Sequence, residues 1–169
     1  FGHGLSYTTF EFSDLRIETA GSGVDMTAHI SVDIANTGDR AGDEVVCHGD
    51  DYPANVYPWL ELRRRGVEVR VLRPGAPGEI TPELVRSALG ARTRLVALSS
   101  CHYLSGYRLD VGAVGTLLRE RGILFALDAI QTLGAFPLEG ECVDLLSADS
   151  HKWMLGPMAA GIVCVRREH

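Results

Sequence analysis

From residue 44 onward, short apolar runs alternate with segments that have helical periodicity. Each apolar run is bounded by Gly or polar residues and is too short for a free helix, which is typical of a strand buried on both faces of a parallel sheet. Four such strands are predicted, at residues 67–72, 94–99, 122–131 and 143–148. A further strand begins near residue 44, and the run at 161–165 predicts a final strand.

Helix start and stop signals separate these strands. Thr81 followed by Pro82 is typical of a helix N-terminus, Asp110 can cap another helix, and Gly66 can end one that Pro58 begins. The predicted helices therefore span residues 58–65, 81–90 and 110–122. Strand and helix alternation of this kind predicts an α/β fold, a largely parallel, right-handed wound sheet with helices on both faces.

The first part of the chain has a different pattern. Residues 8–17 alternate partly between apolar and polar positions, and residues 26–34 alternate well, which predicts two strands of an antiparallel sheet. Gly, Ser, Asn and Asp at 19–23 and 36–39 predict turns. We therefore divide the chain into a short antiparallel β segment, residues 1–46, and an α/β segment, residues 47–169.

Charge and composition exclude several classes of function. The chain has 169 residues, 46% of them hydrophobic, and a net charge of −6, which is enough apolar content for a sizeable core. Residues 1–46 hold eight acids and two bases, whereas residues 47–169 hold fourteen of each, which argues against a nucleic-acid partner. No run approaches a membrane-spanning length, no signal-like segment is present, and the four cysteines form no C-x-x-C pair. We expect a cytoplasmic protein with no membrane partner and no metal site.

Lys152 is the only lysine in the chain, and the other fifteen basic residues are arginines. A lysine amine can form an imine with a carbonyl, which arginine cannot do. In the run at 122–131, Asp128 directly follows the last of five apolar residues, and Lys152 follows the next apolar run. Both are therefore expected at the carboxyl edge of the sheet, where α/β folds bind ligands. This pairing suits pyridoxal phosphate (PLP), because a lysine can hold it as a Schiff base while a carboxylate keeps its pyridine nitrogen protonated.

Two motifs carry a resemblance to a known family. Residues 128–134 (DAIQTLG) and 150–157 (SHKWMLGP) resemble the signatures of class V aminotransferases. This fold-type-I PLP group includes cysteine desulfurases and isopenicillin N epimerase-like proteins, and the resemblance extends from about residue 42 to residue 169. It implies that Lys152 is the Schiff-base lysine and Asp128 the partner of the pyridine nitrogen. It further implies that Gln131 contacts the phenolic oxygen of the ring and that His151 helps to hold the phosphate.

Two loops extend the resemblance. Residues 51–59 (DYPANVYPW) are similar to the loop that places an aromatic or His residue over the cofactor, which makes Tyr52 the candidate for stacking; the alternative is ordinary surface packing. Residues 100–106 (SCHYLSG) are similar to the loop that brings a polar group near the phenolic oxygen, and His102 and Tyr103 both stay open for that role. Asp149 departs from the family pattern, since a hydroxyl residue is common there and a carboxylate would repel a phosphate.

The same resemblance implies an amino-acid substrate and a homodimer. We expect the sequence to be a fragment, because neither a Gly/Thr-rich phosphate-binding helix start nor a C-terminal small domain is recognisable in it. Capture of the cofactor is therefore expected before turnover, and transamination, desulfuration and epimerisation all stay open as reactions.

The β segment carries a second resemblance. Residues 1–10 (FGHGLSYTTF) and 36–46 (NTGDRAGDEVV) resemble the start of the fibronectin-III-like C-terminal domain of family-three glycoside hydrolases, of the β-glucosidase type. It covers only about the first 46 residues and implies no glycosidase activity. Residues 42–46 fit both families, so a junction of two families through this pentapeptide is one hypothesis. A non-catalytic accessory module and a chimera without activity are the alternatives to a PLP enzyme.

Overall fold

A computed structural model of the chain describes residues 10–20, 27–36 and 43–166. In the front segment, β1 (Phe10–Ala20) and β2 (Thr27–Asn36) pair antiparallel, from Phe10 opposite Asn36 to Ala20 opposite Thr27. This pairing confirms the two strands predicted there. Residues 21–23 and 37–39 of the predicted turns, and residues 1–9 of the glycoside-hydrolase-like motif, lie outside the described ranges.

The rest of the described chain forms a six-stranded sheet with three short α-helices. Its strands are β3 (Glu44–His48), β4 (Glu68–Leu72), β5 (Thr93–Ser99), β6 (Leu124–Asp128), β7 (Leu145–Asp149) and β8 (Gly161–Val165). The helices are α1 (Tyr57–Glu61), α2 (Pro82–Ala88) and α3 (Val111–Arg119), with 3₁₀ turns at Pro53–Asn55, Leu62–Arg65 and Gly140–Cys142. The strand order is β4-β3-β5-β6-β7-β8, parallel except for β8, which runs antiparallel to β7. The predicted α/β class is confirmed.

The core lies between one face of this sheet and helices α2 and α3. Successive strand residues alternate between the two faces, so Val96 and Leu98 of β5 and Phe125 and Leu127 of β6 all face this core. They pack against side chains of the two helices, including Val85, Val114 and Leu118. Each fully buried side chain of this size contributes about 1.5–3 kcal/mol relative to exposure. The apolar runs in the sequence thus form the centre of the molecule.

The opposite face of the sheet lies beside α1. Trp59 of α1 lines a small cavity together with Ala97, Ala126 and Leu145, which alternate to this face of β5, β6 and β7. Helices therefore lie on both faces of the sheet, as the order of elements predicted.

The helix boundaries follow the predicted signals closely. Thr81 Oγ1 accepts a hydrogen bond from Leu84 N at 3.2 Å, and Asp110 Oδ1 accepts one from Ala113 N at 2.9 Å. Each satisfies an amide that has no partner within its helix. Gly66 follows the first helical segment with φ +82°, a left-handed conformation that glycine adopts without strain. Helices α2 and α3 end a few residues before Gly90 and Gly122.

Within the described ranges, no helix is long and apolar enough to span a bilayer. The same ranges hold no group of three or more His, Cys, Asp or Glu side chains arranged to bind a metal ion. The four cysteines are not disulfide-bonded.

Candidate active site

The carboxyl ends of β5, β6 and β7 meet at an open cleft of about 760 Å³. Ser99 and Asp128, the last residues of β5 and β6, are register partners in the sheet. Asp149 ends β7, and the chain after it carries His151 and Lys152 into the same cleft. Five of the six predicted site residues line it: Tyr52, Asp128, Gln131, His151 and Lys152. The strand-end position predicted for the acid and the amine is where the structure places them.

Asp128 is largely buried and is held at both carboxylate oxygens. Its Oδ2 accepts a hydrogen bond from Asn55 Nδ2 at 2.7 Å, and its Oδ1 accepts one from Ile130 N at 2.9 Å. Burial raises the pKa of Asp128 above its ordinary value, and these two hydrogen bonds and the charge of Lys152 partly offset that rise. Asp128 is thus an acceptor whose ionised form depends on the donors around it.

A chain of hydrogen bonds connects Asp128 to a second buried carboxylate, Asp51. Asn55 Nδ2 also donates to Ser99 Oγ at 2.8 Å, and Ser99 Oγ donates to Asp51 Oδ2 at 2.6 Å. The other oxygen of Asp51 accepts a hydrogen bond from Tyr52 N at 2.7 Å. The sequence analysis did not identify Asp51, Asn55 or Ser99 as site residues. The available signal was the position of Ser99 at the end of the strand that precedes β6.

The segment after β7 turns sharply to present Lys152. Ser150 N donates to Ala160 O at 2.8 Å, and Gly156 N donates to Ser150 O at 2.9 Å, so these bonds close the segment into a loop. Ser150 Oγ donates to Pro157 O at 2.8 Å. A Cβ on Gly156 would lie 2.5 Å from Ser150 Oγ, so glycine is needed for this close approach. Among the described residues, no hydrogen bond or ion pair engages the Lys152 amine.

The two family-like motifs pack directly against each other. Gly134, the last residue of the first motif, has φ +94°, and a Cβ built on it would lie 3.0 Å from the carbonyl carbon and oxygen of Trp153. The residue after Lys152 therefore rests its backbone on Gly134. This contact explains why a glycine ends the first motif, since a larger residue would displace the loop that carries the lysine.

Two tyrosines stand at the open side of the cleft. Tyr52 is 55% exposed and Tyr103 is 38% exposed, and their rings meet edge to face with centroids 5.5 Å apart. Exposed aromatic faces beside a cleft are suited to cover a flat ring. The stacking role of Tyr52 stays a prediction, and the structure places its side chain at the cleft.

His102 does not line the cleft. It is only 5% exposed, and its ring nitrogens lie 2.9 Å from Ser105 Oγ and 3.0 Å from Asp50 O. Side chains alternate past the end of β5: Cys101 and Tyr103 line the cleft, while His102 lines a small cavity on the other side. Of the two residues left open by the sequence, the structure brings Tyr103 to the cleft.

At the end of β7, His151 and Asp149 lie side by side. Their closest atoms, His151 Nδ1 and Asp149 Oδ2, are 3.6 Å apart, and Asp149 is exposed. The carboxylate that the sequence identified as a departure from the family pattern therefore lies in the cleft beside the histidine expected to meet a phosphate. Gln131 also lines the cleft and directly follows Ile130, whose amide holds Asp128.

This geometry has a defined chemical capacity. The Lys152 amine, the Asp128 carboxylate with Asp51 next to it in the hydrogen-bond chain, and two aromatic side chains lie around a single cleft. Such a cleft can attach a carbonyl compound through the amine, accept a hydrogen bond from a ring N–H through the carboxylate, and cover the ring with an aromatic face.

Comparisons with known proteins identify the family to which the chain belongs. The model of the aminotransferase class-V family matches residues 19–169. The chain therefore belongs to the class V aminotransferase family. The match reaches into the front segment, beyond the boundary near residue 42 that the motifs suggested. The fibronectin-III-like resemblance of residues 1–46 has no support, and the class V match instead covers this segment from residue 19 onward.

Within this family, the chain is similar in sequence to cysteine desulfurases. The chain is 36% identical over 137 residues to the cysteine desulfurase IscS of Azotobacter vinelandii. The aligned residues are 80% of this chain and 34% of that protein. It is 32% identical over 126 residues to a probable cysteine desulfurase of Methanothermobacter thermautotrophicus, covering 73% of this chain and 32% of that protein. The chain thus spans about a third of the length of the curated relatives it matches.

Solved structures show the same fold. DndA from Streptomyces lividans superposes with a TM-score of 0.67 at 28% identity, covering 73% of this chain and 35% of that one. A lysine-to-alanine mutant of C-DES, with glycine covalently linked to its PLP cofactor, gives a TM-score of 0.67 at 22% identity, over 75% of this chain and 35% of that one. The sheet and its crossover helices are therefore those of a partial fold-type-I large domain.

Proposed function

We propose that this chain forms the PLP-binding part of a cysteine desulfurase-like enzyme that acts on an amino acid. One observation carries the proposal. Lys152 and Asp128, which are 24 residues apart and belong to different strand ends, line the same cleft. The relatives support it, since they are described as cysteine desulfurases, and one solved neighbour carries the cofactor.

In this proposal each residue has a definite task. Lys152 provides the amine for covalent attachment, and the lack of a hydrogen-bond partner among the described residues leaves that amine available. Asp128 accepts a hydrogen bond from the pyridine nitrogen, and Tyr52 covers the ring. Tyr103 replaces His102 as the polar neighbour near the phenolic oxygen, a region that Gln131 also reaches. When bound, PLP supplies an electrophilic carbonyl and a ring that accepts electrons from a substrate carbanion.

The residues present fit the ring of the cofactor better than its phosphate. The ring would meet an amine, a carboxylate and aromatic faces. At the phosphate, His151 would meet a dianion. The Asp149 carboxylate, 3.6 Å from the histidine ring, would repel that dianion. We therefore propose that His151 contributes to phosphate binding and that Asp149 weakens it.

A second copy of the chain would complete the assembly. Trp153, Leu155 and Met158 follow the lysine, and their side chains are 57%, 90% and 79% exposed. Clustered exposed apolar side chains of this kind are typical of a protein interface. We propose that this loop is covered in a homodimer, for which its exposure is the support.

Borohydride trapping tests the proposed function. The chain is incubated with PLP, reduced with borohydride, digested and analysed by mass spectrometry, with Lys152→Arg and Asp128→Ala variants and a urea-denatured sample in parallel. We expect a stoichiometric adduct at Lys152 in the folded chain, none in Lys152→Arg, and a weaker one in Asp128→Ala. The N-terminal amine is the only competing primary amine, so the site of labelling is unambiguous. Labelling of the folded chain no better than that of the denatured one would reject the proposal.

A further inference from the structure

We propose that Asp51, Ser99 and Asn55 are positioning residues that act as one hydrogen-bonded relay to hold the Asp128 carboxylate in place. The inference rests on the proposed function in that Asp128 is the group that meets the pyridine nitrogen. The three residues come from two separate parts of the chain, the loop after β3 and the end of β5. The hydrogen bonds that join them to one another and to Asp128 connect residues that are 44 to 73 positions apart in the sequence.

The direction of every bond in the relay is fixed by the carboxylates at its two ends. An ionised carboxylate only accepts hydrogen bonds, so the groups between Asp51 and Asp128 must donate in both directions. Ser99 has one hydroxyl proton, which goes to Asp51 at 2.6 Å. Asn55 has two amide protons, which go to Ser99 Oγ at 2.8 Å and to Asp128 Oδ2 at 2.7 Å. All three protons are used.

This arrangement also fixes the orientation of the Asn55 amide. A flipped amide would place its carbonyl oxygen 2.7 Å from Asp128 Oδ2, where two acceptors would repel each other. It would also leave Ser99 Oγ without its donor, since the Ser99 proton is committed to Asp51. The position of Asp51 is in turn fixed by Tyr52 N, which donates to its other oxygen at 2.7 Å.

The relay has a direct consequence for Asp128. Ile130 N holds Oδ1 and Asn55 holds Oδ2, so the carboxylate is oriented from the protein side and offers its remaining lone pairs to the cleft. The charged groups near it are opposed in sign: Asp51 disfavours its ionised form, and Lys152 favours it. Asp149 and His151 line the same cleft. Burial favours the neutral form of Asp128. Its ionised form therefore needs a hydrogen-bond donor, here Asn55, that is held in a fixed orientation.

The test is a titration of Asp128 in the chain without cofactor. The side-chain carboxyl resonances are followed by ¹³C NMR as the pH is raised, and the Asp128 signal is assigned with Asp128→Asn. The informative variant is Ser99→Ala, since the Ser99 side chain bonds to Asn55 and Asp51 rather than to Asp128. Ser99→Thr is the matched control, because it keeps the hydroxyl.

We expect Ser99→Ala to lower the proton-dissociation constant of Asp128 by about threefold or more, because an Asn55 amide that Ser99 no longer orients can turn away from the ionised carboxylate. Ser99→Thr should keep the wild-type value. An unchanged Asp128 titration in folded Ser99→Ala would overturn the proposal, because a merely structural serine would affect stability alone. Since PLP is absent, a chain that fails borohydride trapping still gives a result here.

A measurement on the unmodified chain covers the case in which Ser99→Ala does not fold. The two Asn55 Nδ2 protons should both exchange slowly with solvent, because each has its own acceptor. Exchange of either proton at the rate of an exposed amide would show that the bond to Ser99 or the bond to Asp128 is absent, and the relay would be rejected.

Discussion

Replacement of Gly134 by alanine should loosen the loop that carries Lys152. Gly134 has φ +94°, which costs an alanine about 1–2 kcal/mol. The new Cβ would lie 3.0 Å from the carbonyl carbon and oxygen of Trp153 and 3.2 Å from Met154 N, closer than an ordinary contact of about 3.5–4.0 Å between carbon atoms. Backbone atoms have little freedom to yield, so the Lys152 loop must shift by a few tenths of an ångström.

The magnitude follows from three contributions. Backbone strain adds about 1–2 kcal/mol and crowding of this kind typically adds about 1–3 kcal/mol, whereas the lower entropy of the unfolded alanine chain returns about 0.4–1 kcal/mol. We expect Gly134→Ala to lower the free energy of unfolding by about 2–3 kcal/mol, within the range set by these terms. The loss should be accompanied by weaker PLP labelling of Lys152.

Two other glycines separate strain from crowding. Gly66 has φ +82° but nothing within 4 Å of a built Cβ, so Gly66→Ala reports strain alone, about 1 kcal/mol. Gly140 has an ordinary φ and equally open surroundings, so Gly140→Ala should change stability by less than about 0.5 kcal/mol. Urea unfolding followed by tryptophan fluorescence measures all three. If Gly134→Ala is no more destabilising than Gly66→Ala, the contact between the two motifs does not exist and our account of the first motif is wrong.

Two further predictions concern a helix cap and a buried thiol. Asp110→Ala should lower the free energy of unfolding by about 1 kcal/mol, because it removes the side-chain acceptor that meets Ala113 N at 2.9 Å. Asp110→Asn keeps an acceptor and should lower it far less in the same urea titration. Equal losses in the two variants would contradict a capping role. Burial raises the pKa of Cys47 to about 11 from an ordinary 9.0, so the folded state favours the neutral thiol and its contribution to stability should be lost as pH rises from about 9 towards 11. Iodoacetamide at pH 8 should therefore modify exposed Cys164 much faster than buried Cys47, and equal rates in the folded chain would refute this.

The fold was predictable where one physical signal acted within a few residues. The apolar run that ends in Asp128 identified a buried strand, because no other common structure hides a short run of large apolar residues on both faces. Thr81 and Asp110 identified helix starts because a cap acts on an amide three residues away. The helix ends were less accurate, since α2 and α3 stop before the glycines that were expected to end them.

The site was predictable only in part, because some of its residues are placed by strand ends and others by contacts between distant parts of the chain. Lys152 and Asp128 each follow a strand, and strand ends of a parallel sheet converge, so their meeting needed no knowledge of packing. His102 depended on the alternation of side chains just past β5, where a shift of one residue exchanges the two sides of the backbone. The Asn55 amide was missed because its partners, Ser99 and Asp128, lie 44 and 73 residues away. Only the order of strands in the sheet brings them together.

The cleft concentrates features that cost folding free energy. Because the pKa of Asp128 is raised, its carboxyl favours the folded state most at pH below its ordinary value of 3.8, and this contribution is lost as pH rises through the folded value. At neutral pH its ionised form therefore opposes folding. Leu155 and Ala159 add left-handed backbone at φ +53° and +64°, in the loop that presents Lys152. A chain selected for stability alone would place an apolar residue and two glycines at these positions. The largely buried Asp128 and the left-handed residues Leu155 and Ala159 all lie at or beside one cleft of an otherwise regular sheet. Such unfavourable features are retained at binding sites, where the stability of the core offsets their cost.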